Sequence, residues 1–123
     1  MWPFKRTRGP DELPVSDLKF LGEQDGEPER RLKGQLADLL ARHPDIERAY
    51  LVRAMNGGAA SVMLCIATRA DEPDATLLHE IGGIFAAIFN TKEHLDILFP
   101  GAAQEVQLAK VCAPFYNRST RNN

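Results

Sequence analysis

Two apolar runs, Ile46 to Met55 and Ala59 to Thr68, are separated by Asn56-Gly57-Gly58. Asn-Gly supplies the positive φ angles of a tight turn, so the runs are predicted to be the antiparallel strands of a hairpin. In the second run Val62, Leu64 and Ile66 alternate with Met63, Cys65 and Ala67. Both of its faces are apolar, so this strand is central in its sheet and needs a covering layer on each side. The rest of the chain must supply those layers.

Leu32, Leu36, Leu39 and Leu40 share one helical face, and Pro28, Glu27 and Glu29 at one end and Pro44 beyond the other set a helix over about 28–42. Asp74 is the expected N-cap of a second helix running to about residue 90, with Leu77, Leu78, Ile81, Ile84, Phe85, Ile88 and Phe89 as its stripe. That stripe is wider than one neighbour requires. Gly82-Gly83 in its middle costs up to about 1 kcal/mol per glycine relative to alanine. Close backbone packing is the commonest compensation for such a pair, and a local kink the next. Leu95, Ile97 and Phe99 alternate with polar and apolar partners to form a further strand, and a short helix is expected over about 102–112, with Leu108 and Val111 on one face. The segment 15–21 offers one more short strand. The predicted fold is α+β in the order α-β-β-α-β-α: a small mixed sheet of three strands, four with 15–21, packed by two or three helices. A strand-helix-strand crossover makes the third core strand parallel to the second. Its position in the sheet order, 2-1-3 or 1-2-3, is open.

At 123 residues, the chain has the size of one domain with an adequate core. The expected organisation is a disordered basic arm over 1–14, one domain over 15–116 and a flexible tail over 117–123. Lys5, Arg6, Arg8, Arg118 and Arg121 place five positive charges and no acids in the two ends, while residues 9–117 hold ten basic and seventeen acidic side chains, a net of −7. An acidic body repels phosphate backbones, so nucleic acid is not an expected partner. No apolar run reaches the ~18 residues of a spanning helix, and the N-terminus lacks the apolar stretch of a secretory signal. Trp2 and Phe4 beside the basic residues form a possible membrane-surface contact, against the simpler reading of a disordered tail.

The chemical motifs fail at identifiable places. His79-Glu80 would begin a zinc-protease helix, but position 83 is glycine where the second histidine must stand. His43, His79 and His94 lie on separate elements. Asp71, Glu72 and Asp74 are loop carboxylates beside proline. Cys65 and Cys112 have no short spacing between them and are expected to be reduced, Cys65 as a small core hydrophobe. No catalytic, cofactor or metal residue is assigned, and no cofactor is expected.

Several short stretches, in this order and spacing, resemble one family: Phe20-Leu21-Gly22-Glu23, then His43-Pro44-Asp45-Ile46 leading to Ala49-Tyr50-Leu51, then Leu95-Asp96-Ile97-Leu98, then Cys112-Ala113-Pro114-Phe115-Tyr116. Over residues 18–116 the chain is similar to the C-terminal domain family of the enhanced serine sensitivity protein SseB. The resemblance implies a bacterial cytoplasmic protein and brings no catalytic residues with it. The expected function is a non-enzymatic module for protein interaction or self-association, its partner a second copy or another protein. Tyr50, Val52, Met63 and Cys65, grouped on one sheet face by alternation, are the candidate partner contacts, or else core. The alternative is a small thiol-dependent enzyme or a binder of small carboxylates, with Arg48, Arg53 and Arg69 as anion contacts.

Overall fold

A computed structural model describes residues 4–6, 18–56, 59–70, 74–89 and 95–118. The elements are β1 (Phe4–Arg6), β2 (Leu18–Glu23), α1 (Glu27–Leu40), β3 (Ile46–Asn56), β4 (Ala59–Thr68), α2 (Ala75–Ile88), β5 (Leu95–Leu98), α3 (Ala102–Ala109) and β6 (Tyr116–Asn117). They form one α+β sheet in the order β1-β5-β4-β3-β2, with β6 also paired to β3. The expected elements are all present. Among the described residues the sheet has six strands: β2 is the short strand expected over 15–21, and β1 and β6 are additional short pieces at the periphery with little periodicity to announce them.

The hairpin register pairs Tyr50 with Cys65 and Val52 with Met63, flanking the turn with Asn56 opposite Ala59. β4 and β5 are parallel, as a crossover through α2 requires, and this places β4 at the centre. Two bulges adjust the strands. One between Ile46 and Arg48 lets Ile46 share a face with Ala49 and Leu51 despite the odd spacing. The other, between Phe20 and Gly22, turns Leu21 out on the edge strand, where it is 41% exposed.

Each face of the sheet carries its own core. On one, Ala49, Leu51, Leu64, Ile66, Leu95 and Ile97 meet the buried faces of α1 and α2, and Phe115 packs at the margin. On the other, Leu108 of α3 and the following Cys112 lie against β3, β4 and Leu98. The two-sided apolar strand thus receives both its layers from this chain.

The caps explain where the helices begin. Asp74 accepts hydrogen bonds from the Thr76 and Leu77 amides at 2.8 and 3.4 Å, as the N-cap of α2. α1 starts after Gly26 without a side-chain cap, with proline in its first turn beside Glu27 and Glu29. Its C-terminus is closed from far away. The Arg118 guanidinium donates to the carbonyls of Leu40, Ala41 and His43 and, through Nε at 2.8 Å, to Ile46. Carbonyls that a helix end leaves orphaned are satisfied by a cation suited to that end of the dipole.

These placements revise two boundaries. Asn117 and Arg118 belong to the fold, although a tail was expected from 117 onward. Within the expected arm, Phe4–Arg6 runs parallel to β5 with Lys5 in register with Asp96. The Trp2 and Phe4 side chains, on which the membrane expectation rests, lie outside what is described.

Candidate functional site

The face chosen for partner contacts is closed. Tyr50, Val52, Met63 and Cys65 do sit on one side of the sheet, but they are only 3%, 0%, 1% and 0% exposed. They are core, not a partner surface. Their cover is Leu108, Cys112, Leu98 and Phe20. α3 ends at Ala109, so its inward line is Gln104 and Leu108, continued by Cys112; Val111, expected on that line, points outward and is 40% exposed. The covering helix carries a single large apolar residue on its buried side.

What fastens α3 is polar. Glu105 receives both Nε and Nη2 of Arg48 at 2.5 and 3.0 Å, and the Tyr50 hydroxyl donates to it at 2.7 Å. A two-point guanidinium contact on a half-buried carboxylate is among the stronger polar contacts available to a fold. The Arg48 hydrogen bond holds the Glu105 carboxyl below the usual range, against the opposing pull of burial. Burial, then the Glu105 contact, pushes Tyr50 up to about 12. A lowered Glu105 stabilises the fold above the ordinary carboxylate range, and this stabilisation is lost as pH falls through its folded pKa. A raised Tyr50 acts at the other end: its share is complete below the usual tyrosine value and is lost as pH rises toward 12.

Arg48 therefore does hold a carboxylate in two-point geometry, but the carboxylate is the chain's own. Arg69 donates to the Pro44 carbonyl at 2.9 Å and lies 3.8 and 3.7 Å from Asp45 and Glu47. Arg53 is exposed near the hairpin end of β3. Arg48 and Arg69 meet at the Glu47 carboxylate, at 3.8 and 3.7 Å, so both are engaged by the chain's own acids, and among the described residues Arg53 shares no such contact with them.

Both cysteines are free, buried thiols in the α3-side core. Burial pushes Cys65 far up and Cys112 up to about 11, and the Cys112 thiol donates to the Leu51 carbonyl at 3.5 Å. Neither is poised as a thiolate at neutral pH.

Two surface features stand out. The first is the outer side of α2. Ala75, Thr76, His79, Glu80, Gly83, Ala86 and Ala87 are exposed, a face of small residues with one carboxylate and no lysine or arginine. Gly82 is buried, whereas a Cβ built on Gly83 would meet nothing within 4 Å. The close packing expected of this glycine pair is therefore absent at Gly83. The second feature is a cleft of about 160 Å³ at the end of the sheet away from the hairpin, lined by His43, Asp45, Ile46, Thr68, Asp74, Leu77 and Phe99 among others. His43 brings Nδ1 to 3.9 Å from Asp74 and Nε2 to 3.7 Å from Glu80. His79 is on the exposed side of α2, while His94, Asp71 and Glu72 lie outside the described residues. Among the described residues no three His, Cys, Asp or Glu side chains are grouped to hold a metal ion, and no helix is long and apolar enough to cross a membrane.

No curated protein and no solved structure matches the chain. The family model for the SseB protein C-terminal domain matches residues 20–118. That span opens in β2 and closes on Arg118, the residue that ties the C-terminus to α1, so it takes in both cores and all three helices. The chain belongs to the SseB C-terminal domain family.

Proposed function

We propose that this domain is a non-enzymatic self-association module of the bacterial cytoplasm, and that its contact surface is the outer face of α2. The observation that carries this reading is Gly83, an exposed glycine in mid-helix with open space above it, set among Ala75, Thr76, Ala86 and Ala87. A mid-helix glycine lowers stability, and among the described residues nothing uses the room it makes. Small side chains let a second helix approach closely.

A second copy suits this face. In an antiparallel pairing about a twofold axis near Gly83, residue 80 of one copy lies opposite residue 86 of the other, so Glu80 meets Ala86 and the two carboxylates stay apart. A helix of 14 residues is about 21 Å long. One such face buries less than the ~800 Å² per partner of a stable complex, so the dimer is weak and concentration-dependent. The carboxylate-binding alternative loses support because Arg48 and Arg69 are engaged internally.

Sedimentation velocity on the full chain from micromolar to millimolar concentration tests the proposal. A dimer should appear with rising concentration. Ala86→Glu, which sets like charges opposite each other, should abolish it, while Gln35→Glu on α1 should leave it intact. Monomer mass throughout, or equal behaviour of the two variants, would overturn the reading.

A further inference from the structure

α3 lies on one face of the sheet but is tethered at both ends to the other. Phe99, just before it, and Phe115, just after it, both pack on the core formed with α1 and α2, and the Phe115 amide donates to the Ala49 carbonyl at 2.9 Å. Residues 100–114 are therefore a segment with fixed ends laid across the opposite face. Such a segment can lift without pulling a strand out of the sheet.

Little apolar surface holds it down. Its buried side chains are Gln104, Leu108 and Cys112. Gln104 works against the closed position: Oε1 accepts from the Gly101 amide at 3.2 Å, but Nε2 is buried with no hydrogen-bond partner, a cost that opening relieves. Leu108 is the one large apolar side chain, and the Cys112 thiol adds only a long contact, 3.5 Å, to the Leu51 carbonyl. The remaining hold is Glu105, gripped at two points by Arg48 and once by the Tyr50 hydroxyl. The titratable and charged groups facing Glu105 are Arg48, Tyr50 and, through Arg48, Glu47 on β3, with Cys65 of β4 within electrostatic reach.

We propose that residues 100–114 form a lid that opens as a unit while the sheet stays folded, with Glu105 as its latch. Opening uncovers Tyr50, Cys65 and Leu98 and frees the Cys112 thiol. Segments with few apolar contacts open at a lower free energy than the whole fold. The latch also sets a pH dependence. Above the ordinary carboxylate range Glu105 is ionised whether the lid is open or closed, and opening does not vary with pH. Below that range the open form takes up a proton first, because the Arg48 hydrogen bond holds the Glu105 carboxyl low in the closed form. Opening then rises by up to about tenfold per pH unit, until the closed form protonates too. α3 and the outer face of α2 lie on opposite sides of the sheet, and neither proposal depends on the other.

The test labels the thiols of the full chain with a dipyridyl disulfide, a reagent that works in acid as well as at neutral pH. Dividing each rate by that of the urea-unfolded chain at the same pH reads the opening at Cys65 and Cys112, while amide exchange at Leu64 and Ile66 reads the sheet. At low urea the labelling should be nearly independent of denaturant, whereas exchange in the sheet should follow global unfolding. Glu105→Gln leaves the Tyr50 hydroxyl an acceptor but removes the charge. It should raise labelling at neutral pH by about tenfold or more, the weight of one charge-assisted hydrogen bond, and abolish the rise in acid. Tyr50→Phe keeps the ring and the Glu105 charge, so it should raise labelling by a smaller factor and retain the acid rise. Labelling that depends on urea as steeply as exchange in the sheet, or an acid rise that persists unchanged in E105Q, would overturn the proposal.

Discussion

α1 and α2 are both 14 residues long, pack on the same face of the sheet and each expose seven residues. On α1 four of those seven are charged: Glu27, Arg30, Arg31 and Asp38. On α2 only Glu80 is. The inward faces are equivalent, four leucines against Leu77, Leu78, Ile81 and Phe85. Burial therefore explains why both helices exist but not why their outer sides differ. α1 has the ordinary solvated face of a surface helix, with Arg30 near Asp25 and Lys33 bonded to Glu23. α2 presents a side that water alone does not require, and the difference directs attention to contacts made outside the chain.

If the inward faces are equivalent, their deepest residues should matter equally. Leu36 and Ile81 are both completely buried. Leu36→Ala and Ile81→Ala should each cost about 2–5 kcal/mol in urea unfolding. A loss under about 1 kcal/mol for Ile81→Ala alone would show that α2 is a loosely held layer and break the comparison at its base.

The ends of the helices differ in the opposite sense to their surfaces. α1 has no N-terminal side-chain cap and is closed at its C-terminus by Arg118; α2 has Asp74 at its start. Arg118→Ala removes a charged donor from four carbonyls and should cost about 2 kcal/mol, with amide exchange rising first over residues 39–46. Asp74→Ala should cost about 1 kcal/mol, with exchange rising at Thr76 and Leu77, and Asp74→Asn should restore most of it. If Arg118→Ala left exchange at the end of α1 unchanged, the closure of that helix would have to come from elsewhere.

How much of this was legible in the sequence follows from the range of each interaction. The hairpin, α1, α2 and β5 announce themselves because their apolar residues repeat at the period of the element that buries them. The grouping of Tyr50, Val52, Met63 and Cys65 on one face was legible for the same reason. Their burial was not, because the cover is a short helix whose inward line reads Gln104, Leu108, Cys112, while Val111 nearby is more apolar and points out. The Arg48–Tyr50–Glu105 contact joins residues up to 57 positions apart, and no local pattern marks Glu105 as different from any other helix glutamate. Arg118 looked like tail because a lone arginine in a polar stretch gives no sign of the carbonyls it will meet. His43, Asp74 and Glu80 likewise come together only through packing of the α1–β3 turn on α2.

The smallest effects separate the two helices most cleanly. Gly34 on α1 and Gly83 on α2 are both exposed and helical, and an added Cβ would meet nothing within 4 Å at either. Within one isolated chain they are the same experiment. Gly34→Ala and Gly83→Ala should each raise unfolding stability by about 0.5–1 kcal/mol, by removing backbone freedom from the unfolded state and improving helix propensity. In association they should part. In the proposed dimer a methyl at position 83 stands where two α2 helices come closest, so Gly83→Ala should weaken association in sedimentation while raising stability, and Gly34→Ala should raise stability and leave association unchanged. Stability and association moving in opposite directions at one site identifies a glycine kept for an external contact. If Gly83→Ala stabilised the chain without weakening the dimer, the bare face of α2 would have no claim on Gly83 and the difference between the helices would need another cause.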